Sequence, residues 1–315
     1  MSQPSTNAMD DQNDIARAIL AAHAARFGET GDSPGPFTAD DPVYRGAKTA
    51  CAALGFIDVD AECLANAWQA QTQRTGRFDA GAWPAHPADF GMRPFPPGAR
   101  QDAFPPCPEK LGLYAVLPDA AWVGRMARAG VPTVQLRFKS TDADAIQREV
   151  NAAVDAVRGT GALLFINDHW RVAIEAKAYG LHLGQEDLDA LTPQALQAIR
   201  ASGIRLGVST HGYAEMVRAD AVSPSYIAMG AVFPTTLKKM PTAPQGVARL
   251  GAYAQLMRGY PQVGIGGVDA QRLPDVLATG VGSVAVVRAL VNEPDPEAAA
   301  ARLMAAMATD AAKAR

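Results

Sequence analysis

Acidic and amide side chains follow two neighbouring predicted strands and could hold a metal ion. Asn167 and Asp168 stand at the end of an apolar segment, residues 163–167, and Asp187 comes just after the next such segment, residues 180–183. Oxygen ligands from adjacent strand ends suit Mg²⁺, which takes one or two carboxylates and completes its shell with water and phosphate oxygens. Each acid alone would favour a helix cap, but the pair predicts a magnesium site formed by Asp168 and Asp187.

Cationic side chains on an earlier strand indicate an anionic ligand. Gln135, Arg137 and Lys139 alternate with apolar residues, among them Leu136 and Phe138. Alternate residues of a strand share a face, so the three polar side chains point the same way. A polar face is costly on a buried barrel strand unless it opens at the mouth and meets an anion. The alternative is a solvated strand end that carries two incidental cations.

Hydroxyl-bearing residues end the fifth predicted strand. Ser209 and Thr210 precede a predicted helix start, where they could accept backbone hydrogen bonds or donate to a phosphate. His211 is interpreted as a helix-start residue. His182, inside the fourth strand, is interpreted as a paired core histidine before a catalytic one.

Glycines end the last strands, and an irregular segment precedes them. Gly266 and Gly267 follow the seventh strand, and Val287 and Arg288 follow the eighth. Barrels often bind a phosphate with the loops after these two strands, because glycine lets backbone N–H groups approach the anion. Residues 233–246 form a segment long for a minimal barrel, which predicts a mobile cover over the site.

A regular alternation of strands and amphipathic helices begins near Leu111 and predicts a (β/α)8 TIM barrel. Eight βα units favour closure over the alternative, an open doubly wound sheet. The predicted strands are residues 113–117, 133–138, 163–167, 180–183, 205–209, 226–230, 262–265 and 283–287.

The first hundred residues differ in texture from the rest. Residues 1–107 predict a mostly helical extension, with helices near 14–27 and 60–73, that ends in a Pro-rich linker before the barrel of residues 108–315. The three cysteines lack the spacing of metal ligands and are expected to be unpaired thiols.

Composition excludes several classes of partner. A formal net charge of −3 over 315 residues is not basic enough for general nucleic-acid binding. No segment predicts a secretion signal, a transit peptide or a membrane span, so the expected location is the cytoplasm. The sequence leaves open whether the chain forms a homo-oligomer.

Taken together, the polar motifs of residues 111–290 resemble the thiamine phosphate synthase family. In chain order they are Gln135-Leu136-Arg137-Phe138-Lys139, Phe165-Ile166-Asn167-Asp168, His182-Leu183-Gly184-Gln185-Glu186-Asp187, Gly207-Val208-Ser209-Thr210-His211, Val232-Phe233-Pro234-Thr235, Lys238 and Ala243-Pro244-Gln245-Gly246. The resemblance implies a transferase that joins 4-amino-5-hydroxymethyl-2-methylpyrimidine diphosphate to a thiazole phosphate, which gives thiamine phosphate and pyrophosphate.

The resemblance also implies roles for particular residues. It implies Mg²⁺ on Asp168 and Asp187, and pyrophosphate contacts from Arg137, Lys139, Asn167, Ser209 and Lys238. The catalytic set expected on this basis is Arg137, Lys139, Ser209 and Lys238. The expected substrate-binding residues are Gln135, Leu136, Phe138, Asn167, Thr235, Thr236, Leu237, Gly266, Gly267, Val287 and Arg288.

Two positions depart from the family pattern. The family commonly has a hydroxyl residue where this chain has Leu237 and a serine where it has Arg288, and both lie near the expected thiazole phosphate. Two other functions stay open: a related thiazole tautomerase barrel and a non-catalytic sensor of thiamine phosphate. Retention of Arg137, Lys139 and Asp168 argues against the tautomerase, which needs no grip on pyrophosphate.

Overall fold

The structure is a computed structural model that describes residues 11–235 and 243–313, the last four of these by their backbone alone. Contacts divide the chain into two compact units. The N-terminal unit runs to Pro94 and also includes Gly212–Val217, and the barrel unit contains Phe95–His211 and Arg218–Arg315. The predicted division at residue 107 concerns which part folds and functions independently, and it stays a prediction. No helix among the described residues is both long and apolar enough to span a membrane.

Three α-helices form the N-terminal unit: α1 (Gln12–Phe27), α2 (Pro42–Ala53) and α3 (Asp58–Thr75). Helices α1 and α3 were predicted from the sequence, whereas α2 was not. A start signal for α2 is present, because the Asp41 side chain accepts the N–H of Tyr44 and a proline occupies the first helical position. A short 3₁₀ helix, Pro87–Phe90, follows α3.

Tyr213 lies at the centre of an aromatic cluster in the N-terminal unit. Its ring is fully buried and stacks on Phe90 with the ring centroids 5.3 Å apart, and its hydroxyl accepts the Nε1–H of Trp83 at 2.9 Å. The Oδ1 atom of Asp60 accepts the backbone N–H of Ala214 at 2.9 Å. Gly212 must be glycine in this arrangement, since a Cβ atom there would lie 2.0 Å from the Oδ2 atom of Asp60.

Eight parallel strands close into a barrel in the sequential order β1 to β8, which confirms the predicted TIM barrel. Four predicted strands have the predicted bounds, and the other four differ by one or two residues at the C-terminal end. The strands are β1 (Leu113–Leu117), β2 (Thr133–Leu136), β3 (Leu163–Asn167), β4 (Gly180–Leu183), β5 (Arg205–Thr210), β6 (Tyr226–Met229), β7 (Gln262–Ile265) and β8 (Ser283–Val286).

Helices connect the strands in the pattern of a (β/α)8 barrel. Unpredicted additions are a short helix after β4 and another after β8, each before the longer helix that follows. The helices are α4 (Ala120–Arg128), α5 (Ala143–Ala156), α6 (Trp170–Glu175), α7 (Gln185–Asp189), α8 (Pro193–Ala201), α9 (Tyr213–Ala221), α10 (Gly246–Leu256), α11 (Leu273–Leu277), α12 (Arg288–Val291) and α13 (Pro296–Lys313).

Aromatic rings fill the interior of the barrel. Tyr114, Phe165 and Tyr226 are buried, with centroids 5.1 Å apart for Phe165 and Tyr226 and 5.8 Å apart for Tyr114 and Phe165. Glycines on neighbouring strands make room for them. A Cβ atom at Gly180 would lie 2.1 Å from the Phe165 ring, and one at Gly207 would lie 2.1 Å from the Tyr226 ring. These contacts fix where the inward polar groups of the barrel stand.

The Pro-rich segment after Pro94 is ordered against the barrel unit. The guanidinium of Arg100 pairs with the carboxylate of Asp220 at 2.9 Å and donates to the hydroxyl of Ser223 at 3.1 Å. Phe95 meets Tyr260 edge to face, with the ring centroids 6.0 Å apart. A buried ion pair with a second hydrogen bond holds the segment in place, so it is more than a spacer.

Candidate active site

Asp168 follows β3 in a backbone conformation that few residues other than glycine adopt. Its φ is +65°, in the left-handed region. Its backbone N–H donates to the carbonyl oxygen of His182 at 3.0 Å, and its Oδ2 atom accepts from the Nζ of Lys139 at 2.5 Å. The strained backbone and the ion pair together hold this carboxylate at the carboxyl end of the barrel.

Asp187 lies in the first turn of α7, next to Asp168. Asp187 therefore does not cap this helix, which begins at Gln185. Burial raises the pKa of Asp187, and the neighbouring charge and hydrogen-bonding carboxyl of Asp168 raise it further, while the N–H of Gly184 lowers it. Two carboxyl groups that share a hydrogen bond repel each other when both are ionised, so the pair offers a place for a cation.

The donor set fits the magnesium ion that the sequence implied. The structure describes no group of three or more His, Cys, Asp or Glu side chains that could hold a metal in residues 11–235 and 243–313. Two carboxylates, with the buried amide of Asn167 beside Asp168, leave coordination positions open. Mg²⁺ keeps several waters and binds substrate phosphates in addition to one or two carboxylates, so an incomplete protein shell suits it.

Removing the charge of Asp187 should stabilise the metal-free protein. Because the folded state raises the pKa of this carboxyl, the folded protein holds its proton more tightly, and stability falls as the pH rises through the folded pKa. We expect Asp187→Asn to raise the Tm at pH 8 without metal by roughly 1 to 3 °C, and to abolish the rise in Tm that we expect Mg²⁺ to give the parent protein. Thermal melts with and without Mg²⁺ measure both effects.

Glu186 offers a matched control for that substitution. It is the exposed acid next to Asp187 in α7, so Glu186→Gln removes one charge from the same turn. This variant should keep the response of the parent protein to Mg²⁺. A full Mg²⁺ response in Asp187→Asn would exclude Asp187 as a metal ligand.

Arg137 supplies a positive charge at the end of β2, the strand that pairs with β3. It follows β2, is half-buried, and its backbone N–H donates to the carbonyl of Leu117 at 2.8 Å. The guanidinium makes no ion pair or hydrogen bond with any residue that the structure describes, although Lys139, two residues on, pairs with Asp168. A partly buried arginine without an anionic partner among the described residues is suited to an anionic ligand.

A continuous line of hydrogen bonds crosses the barrel interior and ends at Ser209. The Nε2 of Gln135 donates to the hydroxyl of Tyr114 at 3.1 Å, and the hydroxyls of Tyr114 and Tyr226 are 2.8 Å apart. The Tyr226 hydroxyl is 2.6 Å from the Nδ1 of His182, whose Nε2 is 2.8 Å from the Oγ of Ser209. His182 is therefore a paired core histidine, as the sequence analysis interpreted it.

The glycines after β7 admit another segment of the chain. Gly266 and Gly267 have φ values of +105° and +65°. A Cβ atom at Gly266 would lie 2.6 Å from the Cα of Ala231, and one at Gly267 would lie 2.7 Å from the carbonyl oxygen of Pro234. The loop after β6 therefore packs directly on these glycines, and their expected contact with a phosphate stays a prediction.

The remaining predicted site residues fall into three groups. Thr236, Leu237 and Lys238 lie outside the described residues. Leu136 and Gln135 are buried in β2, and the carbonyl oxygen of Phe138 is 3.1 Å from the Nε2 of His169. The others are partly or fully accessible to solvent, namely Thr235, Val287 and Arg288. Arg288 lies in the first turn of α12.

Sequence reasoning missed two members of the buried polar line, Tyr114 and Tyr226. Both lie in predicted strands, where they read as ordinary aromatic core residues. A signal was available, because a buried tyrosine hydroxyl needs a hydrogen-bond partner. The identity of that partner depends on which inward side chains face each other across the closed barrel.

Comparison with known proteins gives the same family for this region. The sequence profile described as thiamine monophosphate synthase matches residues 113–290, more than half of the chain. Thiamine-phosphate synthase of Neisseria meningitidis serogroup B is 55% identical over 195 residues, which are 62% of this chain and 94% of that protein. The Salmonella paratyphi B thiamine-phosphate synthase is 50% identical over 205 residues, 65% of this chain and 96% of that protein.

A solved structure supports the match. Thiamine phosphate pyrophosphorylase from Pyrococcus furiosus aligns with a TM-score of 0.57 at 25% identity, over 64% of this chain and 98% of that chain. The chain belongs to the thiamine monophosphate synthase family. The matched residues include every predicted site residue from Gln135 to Arg288 and leave α1, α2 and α3 outside the family match.

His182 should make this family member sensitive to mild acid. Burial lowers the pKa of His182 from 6.5 to about 4, with Asp168 opposing the shift and Arg137 adding to it. In the unfolded chain this histidine is protonated near pH 6.5, whereas in the folded chain it stays neutral until about pH 4. The contribution of neutral His182 to folding stability is therefore complete above pH 6.5 and is lost as the pH falls toward 4. The loss amounts to about 3 kcal/mol at most.

Urea denaturation of the parent protein and of His182→Gln at several pH values between 4 and 7 measures this contribution. We expect the difference in unfolding free energy between the two proteins to shrink as the pH falls, since glutamine does not titrate. Subtracting the curves cancels the other four of the five histidines. A difference that stays constant from pH 7 to pH 4 would show that His182 titrates alike in both states.

Proposed function

We propose that this chain forms thiamine phosphate by joining 4-amino-5-hydroxymethyl-2-methylpyrimidine diphosphate to thiazole phosphate, with release of pyrophosphate. The reaction is that of a transferase in thiamine biosynthesis. The observation that carries the proposal is the carboxyl pair of Asp168 and Asp187 with the Lys139 ammonium bound to Asp168, while Arg137, at the end of the strand paired with β3, has no side-chain partner among the described residues. This arrangement suits a diphosphate with a bound divalent cation.

Asp168 and Asp187 are the residues that would hold Mg²⁺. When bound, the ion would offset the negative charge of the diphosphate and of the pyrophosphate that leaves. Lys139 keeps Asp168 in place through its ion pair. It also brings a second cation to the anion near Arg137.

The chemistry needs no nucleophile from the protein. The C–O bond between the pyrimidine methylene and the diphosphate breaks, and its electron pair leaves with pyrophosphate. The electron-rich ring carries the resulting positive charge until the lone pair of the thiazole nitrogen forms the new C–N bond. Arg137, Lys139, Asn167 and Ser209 stabilise the charge that develops on the leaving group, and the barrel mouth aligns the two rings and excludes water.

The second phosphate, that of the thiazole, would bind at the ends of the last strands. Gly266, Gly267, Val287 and Arg288 stand there, and Thr235 belongs to the loop packed on the glycines. The exposed guanidinium of Arg288 would bind the phosphate bidentately where the family commonly has serine. Thr236, Leu237 and Lys238 complete the expected site, with Lys238 on the pyrophosphate.

Turnover with both substrates tests the proposal. Purified full-length chain is incubated with the pyrimidine diphosphate and thiazole phosphate in a chelator, and again after Mg²⁺ is added back. We expect thiamine phosphate and pyrophosphate in equal amounts over many turnovers, loss of the activity in chelator, and its return with Mg²⁺. Product limited to one equivalent, or none, would favour a sensor, and unchanged turnover after complete metal removal would exclude the metal site.

A further inference from the structure

We propose that the hydrogen-bond line from Gln135 to Ser209 runs in one direction and keeps the Ser209 hydroxyl free to donate to the pyrophosphate, with His182 as the positioning residue. The proposal rests on the proposed function, because it names what the line does for the leaving group. In this proposal neither Tyr114 nor Tyr226 touches the substrate. They act only through His182.

Gln135 sets the direction at the inner end. Its Nε2 is an amide nitrogen, which can donate but not accept, and it bonds the Tyr114 hydroxyl at 3.1 Å. Tyr114 is fully buried and has one further hydrogen-bond partner among the described residues, the Tyr226 hydroxyl at 2.8 Å. The one hydrogen of the Tyr114 hydroxyl therefore points to Tyr226.

Tyr226 transmits this direction to His182. Tyr226 accepts from Tyr114, so its own hydrogen goes to its other partner, the Nδ1 of His182, 2.6 Å away. Nδ1 accepts and carries no hydrogen, which places the ring hydrogen of His182 on Nε2. Nε2 then donates to the Oγ of Ser209 over 2.8 Å.

Ser209 is left with a hydroxyl hydrogen that no described residue accepts. Its oxygen receives the hydrogen from His182, and the side chain is half-buried near the carboxyl end of β5. A reversed line would take the serine hydrogen to Nε2 and leave only an oxygen lone pair toward the site. Such a lone pair would repel pyrophosphate, whereas the donated hydrogen stabilises the charge that grows on it.

Close packing protects the direction of the line. Gly207 leaves room for the Tyr226 ring, which is inclined at 26° to the His182 ring with the ring centroids 5.7 Å apart. The burial of Tyr114, Tyr226 and His182 keeps water from offering an alternative donor or acceptor. Because water is excluded and each hydroxyl has one hydrogen to donate, the line has few alternative hydrogen-bond arrangements. A substitution at Gln135 should therefore change the hydrogen bonding of Ser209.

Nitrogen NMR of the ¹⁵N-histidine-labelled protein reads the direction without substrate. His182→Gln identifies the signals of His182 among those of the five histidines. We expect a protonated Nε2 and an unprotonated, hydrogen-bonded Nδ1 in the parent protein at pH 7. Gln135→Leu and Tyr226→Phe should shift the ring toward a mixture of the two tautomers, because each removes the group that fixes the direction.

Steady-state kinetics tests the consequence for the reaction. We expect Tyr226→Phe and Gln135→Leu to lower kcat roughly tenfold with little change in KM for the diphosphate, because the lost donation strengthens as the leaving group gains charge. Ser209→Ala should lower kcat at least as much. The Tyr226→Phe substitution should cost little more when Ser209 is already alanine.

Tyr179→Phe is the matched control. Tyr179, like Tyr226, packs edge to face on the Phe165 ring, with its ring centroid 5.5 Å away, but it does not belong to the hydrogen-bond line. Tyr179→Phe should therefore keep the His182 tautomer and the kcat of the parent protein. A protonated Nδ1 in the parent protein, or fully additive losses in the double variant, would overturn the proposal. If no variant and no parent protein turns over substrate, the proposed function fails, and the tautomer measurement still decides the direction of the line.

Discussion

Replacing Asp168 with glycine should abolish most of the turnover and leave the fold at least as stable. Asp168 holds a left-handed backbone conformation with φ of +65°, which costs a residue other than glycine about 1 kcal/mol. Glycine adopts it freely. The lost ion pair with Lys139 is partly exposed and contributes less than about 1 kcal/mol. We therefore expect an unchanged or higher Tm with kcat lowered by roughly 1000-fold.

Thermal melts and kinetics on the same preparations check this result. Asp168→Asn is a useful companion, because asparagine tolerates the left-handed conformation and keeps the size of the side chain while it removes the charge. It should lose nearly as much turnover as the glycine variant. A fall in Tm of several degrees in both variants would return Asp168 to a structural role.

Replacing Arg137 with alanine should weaken pyrophosphate binding and turnover together. The guanidinium has no partner among the described residues, so its removal breaks no internal ion pair and should cost little stability. It would remove a charged bidentate donor from the leaving group. We expect kcat/KM to fall roughly 100- to 1000-fold and the Kd for inorganic pyrophosphate with Mg²⁺ to rise.

Two further arginine variants sharpen the result. Arg137→Lys keeps the charge but loses the planar pair of donors, so it should recover only part of the activity. Arg218→Ala is the control, since that arginine already pairs with Asp189 at 3.2 Å and donates to Gln185 at 3.0 Å. Calorimetry with inorganic pyrophosphate measures binding apart from chemistry. Equal losses in Arg137→Ala and Arg218→Ala would mean a general effect of charge.

The sequence by itself determined the eight strands and the family. Short apolar runs with turn residues on both sides give local signals, which is why β1, β3, β4 and β7 were predicted with their observed bounds. Parallel strands in a barrel put their carboxyl ends at one mouth. This rule alone predicted that Asp168 and Asp187 lie close together, although they are 19 residues apart in the sequence.

Local signals failed where a distant contact decides the structure. Helix α7 has five residues, too few for a recognisable apolar period. Residues Gly212–Val217 belong to the N-terminal unit because Tyr213 packs on Phe90 and hydrogen-bonds to Trp83, more than a hundred residues earlier in the chain. No pattern in the sequence of α9 predicts that Tyr213 contacts Phe90 and Trp83.

Only the tertiary structure decided what the buried polar groups do. From the sequence, Gln135 was predicted to bind substrate and His182 to be a core residue. Their spacing gave no indication that the two are connected. The barrel brings them onto one line through Tyr114 and Tyr226, whose positions differ by 112 residues. Which inward side chains meet is fixed by the register and closure of all eight strands, and that register depends on every strand at once.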